Sequence, residues 1–157
     1  MIGSQLERTR PDLVVNATMI RCFCASIEDS NPNFWDDDIA MRNWGGIISP
    51  PSMIATWLMP LQWHPRATQA ISAMLACVPL PGTAVLNYSS DVEFVAPVYA
   101  GEQLSMYDSL LDISPPRDTR VGSGHFVTTV STILNQHDEV RARWTNVGFR
   151  FSPNQGH

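Results

Sequence analysis

Few side chains in this chain can move protons or act as nucleophiles, and their types exclude several kinds of chemistry. All ten basic residues are arginines and none is lysine. Schiff-base and pyridoxal chemistry, which need a lysine amine, are therefore excluded. The lysine of a Walker phosphate loop is missing as well. We expect no cofactor.

The cysteines and the acidic run indicate neither a disulfide framework nor a metal site. The chain has three cysteines, an odd number. Cys22 and Cys24 lie two apart on an expected helix, so their side chains diverge. We interpret them as reduced thiols, as is typical of a cytoplasmic protein. Asp36, Asp37 and Asp38 have no histidine or cysteine beside them, so they predict a solvated helix start without a metal.

Length and composition predict one domain over residues 1–157, with hydrophobic residues at 44% and charged residues at only 16%. The low charged share indicates that much of the surface is buried against a partner. The net charge of −5 argues against a nucleic-acid partner, which usually meets a basic face. No apolar run reaches the length of a membrane span. The polar stretch 1–12 does not resemble a signal peptide.

The first half of the chain reads as helices. Asn16 can cap a helix that runs to about Asp29. Helical spacing places one buried stripe on it, made of Ile20, Phe23, Cys24 and Ile27. A second helix, apolar nearly all round, is predicted from Ser52 to about Met59. A further helical pattern follows over 70–78.

From Thr83 onward the pattern changes to strands, with candidates at 84–95, 102–113, 119–135 and 140–151. His137 and Asp138 fall at a predicted hairpin between the last two strands. An apolar helix followed by a long antiparallel sheet predicts an α+β fold in which the sheet wraps around a helix.

Four motifs, in order and at similar spacing, then resemble one family over about residues 13–151. The run from Asp29 to Asp36 resembles the Asp-x-Asn-Pro-x-His-x-Asp motif of MaoC-like hydratases. The segments 45–53, 94–102 and 122–126 match downstream pieces of the same family. The Pro-Pro-x-Met form at residues 50–53 is similar to the dehydratase N-terminal branch, especially to the MaoC-type subunits of actinobacterial steroid side-chain hydratases.

The resemblance implies a hot-dog fold and an enoyl-CoA hydratase or dehydratase activity in lipid metabolism. In such proteins two hot dogs pair through their sheets and acyl-CoA lies at their interface. An Asp and a His on the loop after the first helix activate the water. Backbone N–H groups at the start of the hot-dog helix bind the thioester oxygen.

This sequence departs from that pattern in two places. Asp29 and Asn31 match the loop, but Phe34 stands where the family has its histidine, and a phenyl ring cannot exchange a proton. Pro50 and Pro51 replace the family's His-Gly, so at least one N–H donor is lost. We therefore interpret the chain as catalytically silent. The alternative for Asp29 and Asn31, apart from catalysis, is a helix C-terminal stop and a side-chain-bonded turn. Rescue by His125 is the less favoured reading, since a sheet-face histidine is commoner than a catalyst.

Several residues are candidates for binding acyl-CoA in such a pair. Gly122 and Gly124 match a glycine pair along which CoA lies in relatives, with a β-bulge as the alternative. At the helix start and along the helix, Ser52, Met53 and Trp57 are the candidates, with Met59 beside them. Ordinary core packing is the alternative for the apolar ones. Trp35 and Trp44 are either interface anchors or ordinary packing residues.

Three functions remain open at this point. The first is a non-catalytic subunit of a heteromeric hydratase, whose partner supplies the Asp and His. The second is a self-sufficient homodimeric hydratase, dehydratase or thioesterase that uses Asp29. The third is a module that binds acyl-CoA or a protein without chemistry. Pro60 ends the hot-dog helix early, which predicts space for a bulky, steroid-type acyl group.

Overall fold

The computed structural model describes residues 2–59 and 78–154. The helical half contains α1 (Ala17–Ser26), α2 (Pro32–Trp35), α3 (Asp37–Trp44) and two 3₁₀ turns, Pro51–Met53 and Thr56–Leu58. The strands are β1 (Ala84–Phe94), β2 (Ser105–Ile113), β3 (Arg117–Thr119), β4 (Gly122–Leu134) and β5 (Val140–Pro153). The helix predicted over 70–78 lies, except for Val78, outside the described residues.

One antiparallel sheet runs in the order β1-β5-β4-β2, and the short β3 also pairs with β4. The N-terminal segment continues this sheet by single bridges: Gln5 and Thr9 pair with residues of β2, and Val14 pairs with Gln103 just before that strand. The four predicted strands and the α+β class are thus confirmed, while β3 was not predicted. No helix among the described residues is long and apolar enough to cross a membrane.

Helix α1 begins as predicted but ends earlier. The Asn16 side chain accepts a hydrogen bond from Met19 N at 2.9 Å, which is the expected N-cap. The helix stops at Ser26, three residues before Asp29, and Glu28 takes a left-handed conformation with φ of 56°. Ile27 is consequently outside the helix and 54% exposed, so its prediction as a buried residue was wrong.

The predicted α-helix over 52–59 is instead two successive 3₁₀ turns. Met53 N and Ile54 N bond to carbonyls three residues back, and Leu58 N does the same. The nine residues between Pro50 and Pro60 form too few hydrogen bonds to offset the unfavourable free energy of nucleating a regular α-helix. The predicted burial is confirmed, because Met53, Ile54, Trp57 and Leu58 are at most 7% exposed.

The sheet face that packs on the helices carries two apolar clusters rather than one. The first joins the helices and 3₁₀ turns to Ile133 and Ala142, and the second contains Val78, Leu110 and Val127. In the register of β2, β4 and β5, polar residues lie between the two clusters. Ser131 Oγ donates to Asp108 Oδ1 there at 2.6 Å, and the buried Nε1 of Trp144 has no acceptor among the described residues. A polar band therefore divides the core.

The predicted hairpin between β4 and β5 is confirmed, and a buried carboxylate anchors it. Glu102 is 6% exposed and accepts hydrogen bonds from Asn135 Nδ2 at 2.8 Å, Tyr99 N at 3.0 Å and Arg141 Nε at 3.0 Å. Burial alone would raise the pKa of Glu102, but the hydrogen bonds and charge of Arg141, with the other donors, outweigh it and hold that pKa below its usual value.

Candidate functional site

The loop after α1 forms a side-chain-bonded turn around Asp29. Asp29 Oδ1 accepts a hydrogen bond from Asn31 N at 2.9 Å, while Asp29 N donates to Cys24 O at 2.9 Å. The carbonyl of Asp29 accepts the indole N–H of Trp35 at 2.7 Å. The aspartate therefore holds the local chain in place through one carboxylate oxygen and its own backbone.

Asn31 is committed to the same local structure. Its Oδ1 accepts from Asn33 N at 3.1 Å, which caps α2, and from Asn33 Nδ2 at 2.8 Å. Asn33 Oδ1 in turn accepts from Asn43 Nδ2 of α3 at 2.9 Å. These contacts are those of the side-chain-bonded turn that the sequence offered as the alternative to catalysis.

Phe34, at the position of the family's histidine, packs into the protein interior. It is 5% exposed and belongs to the first apolar cluster, which also contains Ile47 and Ile48. It does not line the cavity beside Asp29. The position therefore differs from a proton-transfer site both in its chemistry and in the surroundings of its side chain.

A cavity of about 430 Å³ lies beside Asp29. Its volume falls in the range of small-ligand sites. The walls come from the end of α1, the following loop, α2 and the start of α3. The lining residues are Cys24, Ala25, Glu28, Asp29, Ser30, Pro32, Trp35, Asp36 and Ile39.

The histidines in the described ranges have partners or positions away from this loop. His125 Nδ1 lies 2.8 Å from Ser114 O, and His125 pairs with Arg150 across the sheet. His137 is exposed in the β4–β5 hairpin. Within residues 2–59 and 78–154 no hydrogen bond links either histidine to Asp29, and no group of three or more His, Cys, Asp or Glu side chains could hold a metal.

The segment that would form the oxyanion hole has few backbone N–H groups free to bind a thioester oxygen. Met53 N already donates to Pro50 O at 2.9 Å, which leaves Ser52, an exposed residue, as the nearest other N–H. Met53 is 2% exposed and Trp57 is fully buried, with its Nε1 donating to Ser49 Oγ at 2.8 Å. Both side chains pack in the core of this chain, and their assignment to an acyl group stays a prediction.

The glycine pair of β4 is explained by close approach of β5. A Cβ on Gly122 would lie 2.1 Å from Ser152 O, and one on Gly124 would lie 2.1 Å from Arg150 O and 2.6 Å from Phe151 Cα. The β4–β5 register runs without a shift through both glycines, so the β-bulge alternative was wrong. Contact of this pair with CoA stays a prediction.

The two tryptophans near the loop are both partly exposed, Trp35 at 40% and Trp44 at 46%. Only Trp35 lines the cavity. Sequence reasoning missed Arg21, whose Nη2 donates to Trp35 O and Asp37 Oδ1, both at 3.2 Å. Arg21 lies about one helical turn before Cys24, which also lines the cavity, and this spacing was the signal in the sequence that could have pointed to it.

Comparison with known proteins places these features in a family. The model of the FAS1-like dehydratase domain region matches residues 1–143. A "probable enoyl-CoA hydratase alpha subunit" of Thermomonospora curvata is 31% identical over 148 residues, which cover 87% of this chain and 45% of that protein. The "3-oxo-4,17-pregnadiene-20-carboxyl-CoA hydratase alpha subunit" of Mycobacterium tuberculosis is 30% identical over 141 residues, with the same coverage. The chain thus spans slightly less than half the length of these relatives.

Solved structures show the same fold. The ChsH1-ChsH2 complex of M. tuberculosis contains a chain that matches with a TM-score of 0.77 and 23% identity, covering 98% of this chain and 87% of that one. A MaoC-like dehydratase of Rhodospirillum rubrum matches with a TM-score of 0.69 and 22% identity, covering 99% and 95%. The sheet order, the loop motif and these matches together show that the chain belongs to the FAS1-like dehydratase family and has the MaoC-like hot-dog fold.

Proposed function

We propose that this chain is the non-catalytic subunit of a heteromeric MaoC-like enoyl-CoA hydratase or dehydratase in the cytoplasm. The observation that carries the proposal is Phe34, which occupies the histidine position and is buried in the apolar core. Without an imidazole, Asp29 has no described partner for proton transfer. The acid and base must then come from another subunit.

The names of the relatives support a subunit of a larger enzyme. Both are called alpha subunits, one of a probable enoyl-CoA hydratase and the other of a 3-oxo-4,17-pregnadiene-20-carboxyl-CoA hydratase. The structural neighbour with a TM-score of 0.77 was solved as a complex of two different proteins. We extend this arrangement to the present chain and expect a catalytic MaoC-like hot dog as its partner.

An unpaired sheet edge offers a place for that partner. Strand β1 pairs with β5, and no other described strand pairs with its second edge. Large apolar side chains along β1 are exposed, including Val85 at 52%, Tyr88 at 71% and Phe94 at 50%. A long apolar edge strand left open is an aggregation hazard. Pairing with a second hot dog would satisfy its backbone groups and cover its side chains.

The substrate that we propose is the CoA thioester of a bulky, steroid-type 2-enoyl acid. Residues 51–58 form two 3₁₀ turns instead of one continuous helix. These residues therefore do not cover the part of the sheet beside the polar band with a long helix. One relative is named for a pregnadiene carboxyl-CoA. We assign Ser52, Met53, Trp57, Gly122 and Gly124 to the half of the cleft that this chain contributes.

The test is a mixing assay on the full chain and a candidate partner that carries an intact Asp-x-Asn-Pro-x-His motif. Loss of the enoyl-thioester absorbance is measured with each protein alone and with both. We expect turnover by the mixture and none by this chain alone. Equal turnover by this chain alone would overturn the proposal, as would a mixture no faster than the partner by itself.

One observation favours a second candidate, a homodimeric hydratase or thioesterase that uses Asp29. The aspartate lines a cavity of ligand size, and its Oδ2 makes no described hydrogen bond. The same assay separates the two functions, because a homodimer would turn over substrate without the second protein.

A further inference from the structure

The cavity beside Asp29 combines an aromatic wall with negative charge. The indole of Trp35 is fixed by its hydrogen bond to Asp29 O, and Arg21 holds the carbonyl of the same tryptophan. Apolar surface comes from Ala25, Pro32 and Ile39. The site is open to solvent on one side. A mostly apolar pocket with a few fixed polar groups is typical of ligand recognition.

Three carboxylates line the cavity: those of Glu28, Asp29 and Asp36. None belongs to an ion pair between described residues. Asp29 and Asp36 each use Oδ1 alone, to accept from Asn31 N and from Ile39 N. Those two bonds fix the carboxylates while leaving each Oδ2 without a described donor.

A buried thiol lies in the same wall. Cys24 is 0% exposed and lines the cavity. Burial, and then the charge of Asp29, raise the pKa of its thiol, so the thiol stays neutral. In the part of the chain that the structure describes, no arginine or histidine is among the residues that line the cavity.

We infer that this cavity receives an arginine side chain from the partner polypeptide. A guanidinium would stack on the Trp35 ring, bond to the free oxygens of Asp29 and Asp36, and lay its methylene stem on the apolar wall. The phosphates of a CoA thioester would instead be repelled by the three carboxylates. The inference rests on the heteromeric assembly proposed above and adds a specific contact to it.

The first test needs no partner protein. The chain is titrated with acetyl-Gly-Arg-Gly-amide, with the same peptide carrying neutral citrulline, and with the lysine peptide. The readout is the NMR signal of the Trp35 indole N–H, assigned with Trp35→Phe. We expect a saturable shift with the arginine peptide that weakens in high salt, a smaller one with lysine, and none with citrulline. Equal shifts with arginine and citrulline, or no shift with arginine, would overturn the inference.

Variants that keep the local structure test the role of charge. Glu28→Gln, Asp29→Asn and Asp36→Asn preserve the turn and the helix cap, because asparagine caps as well as aspartate. The combined variant should bind the arginine peptide about tenfold more weakly, the loss expected for three partly screened charge pairs. Asp38→Asn, on the same helix but outside the cavity, is the matched control and should bind normally.

The second test uses the complex and separates this inference from the proposed function. The affinity of the candidate partner is measured for the original chain, the combined variant and Asp38→Asn. We expect only the combined variant to lose affinity, again by about tenfold. If the mixture hydrates enoyl-CoA but all three chains bind the partner equally, the arginine contact is wrong and the heteromeric function stands. If no complex forms although the arginine peptide binds, the heteromeric function fails.

Discussion

Restoring the family's histidine by Phe34→His should destabilise this chain without creating a hydratase. Phe34 is 5% exposed in the apolar cluster around Ile47 and Ile48. The change loses apolar burial worth about 2 kcal/mol. It also leaves an imidazole donor without a described acceptor, which costs about 1–3 kcal/mol. The free energy of unfolding should therefore fall by about 3–5 kcal/mol. Phe34→Leu, which keeps the site apolar, should cost less than about 1.5 kcal/mol.

Urea unfolding of the three proteins at several pH values measures this effect. A buried imidazole has a depressed pKa, so below the ordinary value of about 6.5 the unfolded state binds a proton that the folded state does not. The stability of Phe34→His should thus fall further between about pH 7 and 5 relative to Phe34→Leu. Equal stability of Phe34→His and the original chain, or enoyl-CoA hydration by the variant alone, would show that the side chain faces a solvated reactive site.

Three other substitutions or reagents test the surrounding structure. Glu102→Gln should make the free energy of unfolding less dependent on pH in the acid range. A carboxylate whose pKa is lowered in the folded state stabilises the protein above its unfolded pKa of about 4.3, and this stabilisation is lost as the pH falls through the folded value. Acid unfolding curves of the two proteins measure the difference. Gly124→Ala should lower the unfolding free energy by about 2 kcal/mol or more, since its Cβ would meet β5 backbone, whereas Gly46→Ala, with only Tyr99 Cδ1 at 3.8 Å, should be nearly neutral in the same assay. A thiol reagent followed by mass spectrometry should modify exposed Cys22 quickly and buried Cys24 slowly, and equal rates would contradict the burial.

Local signals in the sequence predicted most elements of this fold. The N-cap at Asn16 and the four main strands depend on neighbouring residues, and each was found where expected. The boundary errors have local causes too. The helix end moved from Asp29 to Ser26 because the turn around Asp29 draws the backbone out of the helix, with Glu28 in a left-handed conformation.

Long-range features of the site could not be predicted in the same way. The need for glycine at position 124 depends on the position of Arg150 O on a neighbouring strand, which no local pattern encodes. The cavity forms only when α1, α2 and α3 pack together, so Trp35 and Asp36 could be noticed but not placed in one wall. The Phe34 replacement was visible from the motif, whereas its burial in the core required the structure.

The most direct test of the silent-subunit account is the turnover number of the saturated complex with Asp29→Asn in this chain. Asparagine keeps the hydrogen bond to Asn31 N and removes only the carboxylate. The account predicts an unchanged turnover number, with the matching aspartate-to-asparagine change in the partner abolishing activity. A loss of about a hundredfold or more from Asp29→Asn, the effect of removing a general acid or base, would contradict it.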